Sequence, residues 1–324
     1  MFVPIGDTPN PKQFTPWVTY ALIAANVLIF LICVPRMLEL ADPQDPFLHH
    51  FVNRVATEVG MSQAEATELA AETTRYDLTL FRYGFRPAAP SVVGLVASMF
   101  LHAGVAHLLG NMLFLWIFGD NVERRLGRGA YLGLYLGWGV IAALGDGGLR
   151  MGSHLSGVGA SGAISGVIGA YFVWFPYNRV RVVVFIPPVL IPVAFFELPA
   201  RVVLTVLVLV DNMFDLVLEF LLGRAGGVAH GAHLGGFFAG LVMAWAWARW
   251  CEPWHPDHSE YSGAEQLGFA RAYLDHRLPT AAYQEVCRVL DRDDSTPQDR
   301  AQARAILFEL QQRTGGLPAR HQLE

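Results

Sequence analysis

The chain has 324 residues, of which 53% are hydrophobic and only 16% charged. Soluble domains carry roughly a quarter charged residues, so the expected solvent is a lipid bilayer. A net charge of −5 without a basic block argues against nucleic acid as a partner. The three cysteines, Cys33, Cys251 and Cys287, are too scattered for a disulfide framework or a zinc site.

Residues 1–16 form a polar, Pro-rich segment, read as cytoplasmic. The first apolar run, about Trp17 to Val34, is long enough to cross roughly 30 Å of hydrocarbon. Cys33-Val34-Pro35-Arg36 offers no small-x-small cleavage site, so the run is read as an uncleaved anchor. A long first loop occupies residues 36–104. Within it, Ser62-Gln63-Ala64-Glu65 has the capping-box pattern and predicts a surface helix running into Ala70-Ala71-Glu72. Arg82-Tyr83-Gly84-Phe85-Arg86-Pro87 predicts a break. The stretch Val92 to Leu101 is too short to span and suits a re-entrant or interfacial segment.

The second predicted span covers about Val105 to Phe118, closed by Asp120, Glu123, Arg124 and Arg125, with Gly127 as the stop signal. Glu123 and Arg125 are expected to pair and fix the following loop. The third span covers about Ala130 to Leu144 and ends at Asp146-Gly147-Gly148; the fourth runs from about Val158 to Phe175. Pro187, Pro188 and Pro192 remove backbone donors from residues 180–198, read as an extended, interfacial piece rather than a crossing. The fifth span is placed at about Ala200 to Leu222 and the sixth at about Gly231 to Trp250. Residues 251–324 form a soluble helical tail with helices near 264–277, 281–291 and 297–313, a pattern faintly like a tetratricopeptide hairpin. The expected fold is an all-α membrane protein: a six-span bundle over residues 17–250 with that tail as a C-terminal extension. Arg124, Arg125, Arg128, Arg179, Arg181 and Arg201 fall in short connections on one side, against Arg150 and Arg224 on the other. The positive-inside rule then puts both termini in the cytoplasm, and the first loop's own arginines are accompanied by acids.

In that topology the second, fourth and sixth spans all begin outside. His107, Ser161 and His233 lie within the first turn or so of those spans, about 5 Å below the outer surface. His107 and Asn111 are four residues apart and project from one helix face. Gly162, Gly166 and Ala170 make a small-residue ridge, and the sixth span offers Gly235-Gly236 and Gly240; such ridges let helix backbones approach closely. A serine and a histidine on two such helices come within reach for general-base activation. Ser161 would attack a peptide carbonyl while His233 takes its proton and returns it to the leaving amine. The oxyanion would form at the N-terminus of the fourth helix, with His107 and Asn111 as side-chain donors.

Several motifs come in one order. Phe100-Leu101-His102 leads through His107 and Asn111 to Glu123-Arg124-Arg125-Leu126-Gly127. Then follow Gly159-Ala160-Ser161-Gly162 and Ala232-His233-Leu234-Gly235-Gly236, with Gly240 beyond. This succession, over most of residues 80–250, resembles the rhomboid intramembrane serine proteases. The resemblance implies a two-residue dyad of Ser161 and His233, and an oxyanion hole of His107, Asn111 and the Ser161 backbone N–H. It implies no cofactor and no metal. Its substrates would be membrane-spanning proteins cut at or near the outer boundary, with a bacterial inner membrane as the expected location. Two departures stand out. Where some members carry an aromatic residue four after the nucleophile to stack on the histidine, this chain has Ser165, leaving Tyr171 or Trp138 to hold His233. The Trp-Arg pair that some members carry in the first loop has no match.

Other readings compete with these. Ser161 could be a packing residue, Ser165 and Ser156 are rival nucleophiles, and His230, read as an exposed loop residue, is a rival base. His102 is expected to fix the loop backbone. A metal site from His102, His107, His230 and His233 lacks an HExxH motif or a neighbouring carboxylate. Asp211, Asp215 and Glu219 recur every four residues in the fifth span and read as a water-facing stripe or a source of a third catalytic member. At the level of function, the alternatives are a catalytically inactive relative that binds membrane-protein clients, and a small-solute transporter, for which matching halves are missing.

Overall fold

A computed structural model of the chain describes residues 2–8, 14–176, 178–186, 189–208, 230–250, 261–275 and 279–314. It begins with strand β1 (Phe2–Thr8) and helix α1 (Trp17–Met37). The first loop holds α2 (Pro46–Val59), α3 (Gln63–Glu72), α4 (Arg75–Tyr83) and the short α5 (Val92–Ala97), which continues into a 3-10 turn at Ser98–Phe100. Then come α6 (Val105–Leu126), α7 (Arg128–Leu149) and α8 (Ser161–Trp174). A hairpin of β2 (Arg179–Ile186) and β3 (Val189–Pro199) precedes α9 (Ala200–Val208) and α10 (His230–Trp250). The tail contributes α11 (Gly263–Asp275), α12 (Pro279–Asp291) and α13 (Pro297–Thr314).

Among the described residues, α1, α6 and α7 are the helices long and apolar enough to cross a membrane. The 14-residue α8 is apolar but shorter, and it is the packed centre: Ala163, Val167, Ala170 and Tyr171 are fully buried. Of the expected fifth span, only α9 falls inside the described residues; Asp211, Asp215 and Glu219 lie outside them.

The fold is mostly helical but not all-α. The proline-containing stretch is extended, as expected, yet it closes into an antiparallel sheet of order β1-β2-β3. Its outer partner is the N-terminal segment, pairing Phe2 with Val184 and Thr8 with Arg179. Alternating Val182, Val184 and their neighbours supply the β-branched residues that a pleated ladder favours. The sheet carries Asp7 beneath the Trp174 end of α8. There the Asp7 carboxylate accepts from Asn121 Nδ2 (2.9 Å) and from the Tyr171 hydroxyl, to which Asn178 Nδ2 also donates (3.0 Å).

The first loop is more ordered than expected. The capping box at Ser62 forms as read, with Ser62 N–H donating to Glu65 Oε2 at 2.7 Å. Two further helices, α2 and α4, flank it around a small core of Leu48, Val52 and Leu78. The predicted break begins only at Gly84, because Thr74 and Asp77 cap α4 and carry the helix through Arg82 and Tyr83. Likewise α7 continues through Gly147-Gly148 instead of stopping. Gly147 packs its bare backbone on the Phe85 ring, where a Cβ would stand 3.0 Å from the ring carbons.

Glu123 does not make the expected ion pair with Arg125. Pro16, at the N-cap of α1, has no side-chain oxygen to offer the free N–H groups of the first turn. The fully buried Glu123 carboxylate supplies it from α6, accepting from Val18 N–H (3.0 Å), Thr19 N–H (2.8 Å) and Thr19 Oγ1 (2.8 Å). The Arg125 guanidinium lies over the Trp174 ring instead, 5.0 Å from its centroid. The tail helices share a core of Leu267, Val286 and Ile306, and Tyr261 meets the α6–α7 corner beneath the Arg124 guanidinium at 4.0 Å.

Candidate active site

The site is built where α8 and α10 touch. A Cβ at Gly236 would overlap the carbonyl oxygen of Gly162, and one at Gly240 the carbonyl oxygen of Gly166. These pairs advance together along both chains, so the helices run parallel and bring their N-terminal turns level. Small residues on both sides are what permits backbone contact at this range. Gly162 also faces α7, with a would-be Cβ 2.7 Å from that of Ala142.

Ser161 is the first residue of α8, which starts later than the expected Val158. His233 is the fourth residue of α10. Their side chains meet, with His233 Nε2 2.7 Å from Ser161 Oγ. Ser161 lies among the first four N–H groups of its helix, which have no intrahelical acceptor. The turn before it is pinned from the first loop: Gly157 and Phe85 exchange backbone hydrogen bonds (2.8 and 3.0 Å), and Gly159 N–H donates to Ser98 O at 2.8 Å. Gly159 has φ 124°, which side chains rarely tolerate. A Cβ there would also stand 2.9 Å from His107 Nε2 and 3.6 Å from Ser161 Oγ, so both groups border one point of the turn.

On α6, Asn111 is buried and spends one of its two amide N–H bonds on the His107 carbonyl (3.0 Å). His107, Asn111, Ser161, Ser165 and His233 open on one cavity of about 310 Å³, completed by Phe114, Ile164, Ile168 and Phe237. Of the rival nucleophiles, Ser165 shares this cavity, whereas Ser156 precedes the pinned turn and does not line it.

The His102 side chain is expected to fix the loop backbone; instead the residue's own backbone is held by Tyr76. The Tyr76 hydroxyl donates to His102 O (2.7 Å) and accepts from His102 N–H (3.3 Å). Burial pushes the Tyr76 phenol up to about 12, so it keeps the proton it donates. The His102 ring is completely buried against His107, centroids 5.2 Å apart, and burial beside that second imidazole lowers it to about 4. It is therefore a neutral ring wedged behind His107. The sequence holds no signal for Tyr76, which lies 26 residues upstream of its partner.

Neither aromatic residue expected to hold His233 does so. Trp138 packs on Gly166, and Tyr171 sits at the other end of α8 against Phe118 and Phe175. Among the described residues, the ring against His233 is that of His230, with centroids 6.4 Å apart and planes at 85°. His230 is not an exposed loop residue: it opens α10 and is 5% exposed.

Apolar helices around a half-buried serine–histidine pair mark an integral membrane protein. The Rhomboid domain family model matches residues 89–250, half of the chain, and the chain belongs to the rhomboid family. It is 30% identical over 159 residues to the mitochondrial Rhomboid protein 1 of Saccharomyces cerevisiae, covering 48% of this chain and 42% of that one. It is 31% identical over 158 residues to Rhomboid protease GlpG of Yersinia enterocolitica, covering 46% of each. Against Rhomboid protease GluP of Bacillus subtilis the figure is 41% over 76 residues, 24% of this chain and 14% of that one. The chain thus spans less than half the length of each of these relatives.

Proposed function

We propose that this protein is an intramembrane serine endopeptidase that cuts transmembrane proteins near the outer boundary of the bilayer. What supports the reading is the 2.7 Å approach of His233 Nε2 to Ser161 Oγ at the head of a cavity inside an apolar bundle. Ser161 Oγ attacks the scissile carbonyl while His233 Nε2 takes its proton. The tetrahedral oxyanion forms beside the Ser161 N–H, where His107 and the remaining amide N–H of Asn111 donate to it. His233 then protonates the leaving amine, and water entering from the outer side releases the acyl group by the same steps. Both termini lie in the cytoplasm in this topology, and α8 and α10 begin at the outer side.

The test is cleavage of a model transmembrane substrate by the full chain in liposomes, with labelling by a fluorophosphonate probe. Wild type should cleave and be labelled, and Ser161→Ala should do neither. A wild-type chain that is folded yet unlabelled would instead be a client-binding relative without catalysis.

A further inference from the structure

We propose that His230 is the positioning residue for His233: its imidazole, standing edge-on to the catalytic ring, fixes the plane of that ring. This rests on the reading of His233 as general base.

Three observations carry it. First, the α8 side offers no ring. Ser165, which lines the same cavity as His233, carries no ring, and its Cβ lies against the α10 backbone, 3.3 Å from where a Cβ of Gly236 would be. Second, His230 and His233 sit three residues apart on the first turn of α10, a spacing that puts both side chains on one face. Their rings meet at 85° with centroids 6.4 Å apart, the edge-to-face arrangement that aromatic pairs prefer. Third, His230 is itself wedged in place. It is 5% exposed, and the next residue, Gly231, lies against α7 so closely that a Cβ would stand 2.8 Å from Leu149 Cδ1 and 3.0 Å from Asp146 Oδ1. That carboxylate is held in turn by Arg150 (Nε–Oδ2 3.0 Å). The backbone that carries His230 is thus seated against α7, and its side chain has little solvent to turn into. A base whose nitrogen must stay within hydrogen-bond reach of a serine gains from such a stop, because its ring otherwise rotates about χ1 and χ2.

Full-length His230→Phe, His230→Leu and His230→Ala are reconstituted with a model transmembrane substrate, and kcat and KM are measured separately. A positioning role predicts that Phe keeps kcat within about twofold of wild type, while Leu and Ala lower it about tenfold or more with KM unchanged, as misalignment of a reacting group does. If the alanine chain does not fold, the Phe–Leu pair decides alone. Leucine equal to phenylalanine, or phenylalanine as poor as alanine, overturns the proposal, as does a loss confined to KM. An inactive, unlabelled wild-type protein would sink the protease reading itself, whereas an active wild type with an indifferent His230→Ala sinks only this inference.

Discussion

At its Ser161 end, α8 meets α10 backbone to backbone, glycine on glycine. At its Trp174 end, the same helix is held by side chains drawn from β1, α6 and the start of the sheet. The first contact is short-ranged and stiff. It brings the serine and the histidine to 2.7 Å because the glycines let the two backbones touch directly. The second is a polar network in which the Asp7 carboxylate serves both Asn121 and Tyr171. Groups of this kind stabilise when fully satisfied, and they are costly when one partner is removed. One end of the helix thus sets the geometry of the serine–histidine pair, and the other anchors the helix within the fold.

The largest effect should come from the reacting groups themselves. Ser161→Ala and His233→Ala should each lower kcat on a transmembrane substrate by a factor on the order of 10⁴ or more, while thermal unfolding stays close to wild type. Full turnover in either variant would end the role assignment. Asn111→Ala should lower kcat by about 10²–10³, the usual consequence of losing one oxyanion donor, with little change in KM. Unchanged kcat would remove Asn111 from the hole.

The next variant probes the stiff end directly. Gly236→Ala forces a methyl group onto the Gly162 carbonyl, and overpacking of this kind costs about 1–3 kcal/mol. Because the strain falls between the two catalytic helices, turnover should drop further than stability alone explains, by about 10²-fold for a shift near 1 Å. A Gly236→Ala protein that is destabilised yet fully active would show that the close contact serves packing only.

The anchoring end should respond the other way. Asp7→Ala leaves the Tyr171 hydroxyl and the Asn121 amide without their shared acceptor and should cost about 1–3 kcal/mol of stability. The kcat of the folded fraction should stay within about twofold, measured below the unfolding transition. A large loss of kcat at full occupancy of the folded state would mean that the two ends of α8 are coupled, and the contrast drawn above would fall.

Much of the site was legible because its signals are local. Gly159-Ala160-Ser161-Gly162 holds a glycine that accepts positive φ, the proposed nucleophile and a helix start within four residues. The glycine spacing of α8 and α10 is likewise a periodic property of a linear chain. Counting residues from each helix start set His107, Ser161 and His233 level, and the three line one cavity. What sequence could not assign was partnership between residues far apart in the chain. Glu123 reads as a neighbour for Arg125, yet it caps a helix 104 residues away, since Pro16 leaves that first turn without an acceptor of its own. Asp7 reads as part of a polar N-terminal segment, and Tyr76 as one residue of the long first loop. His230 reads as exposed because it falls at a helix start. Such choices are made by which buried donor and acceptor come to face one another once the helices pack, because a polar group withdrawn from water takes whatever partner tertiary contact brings within about 3 Å.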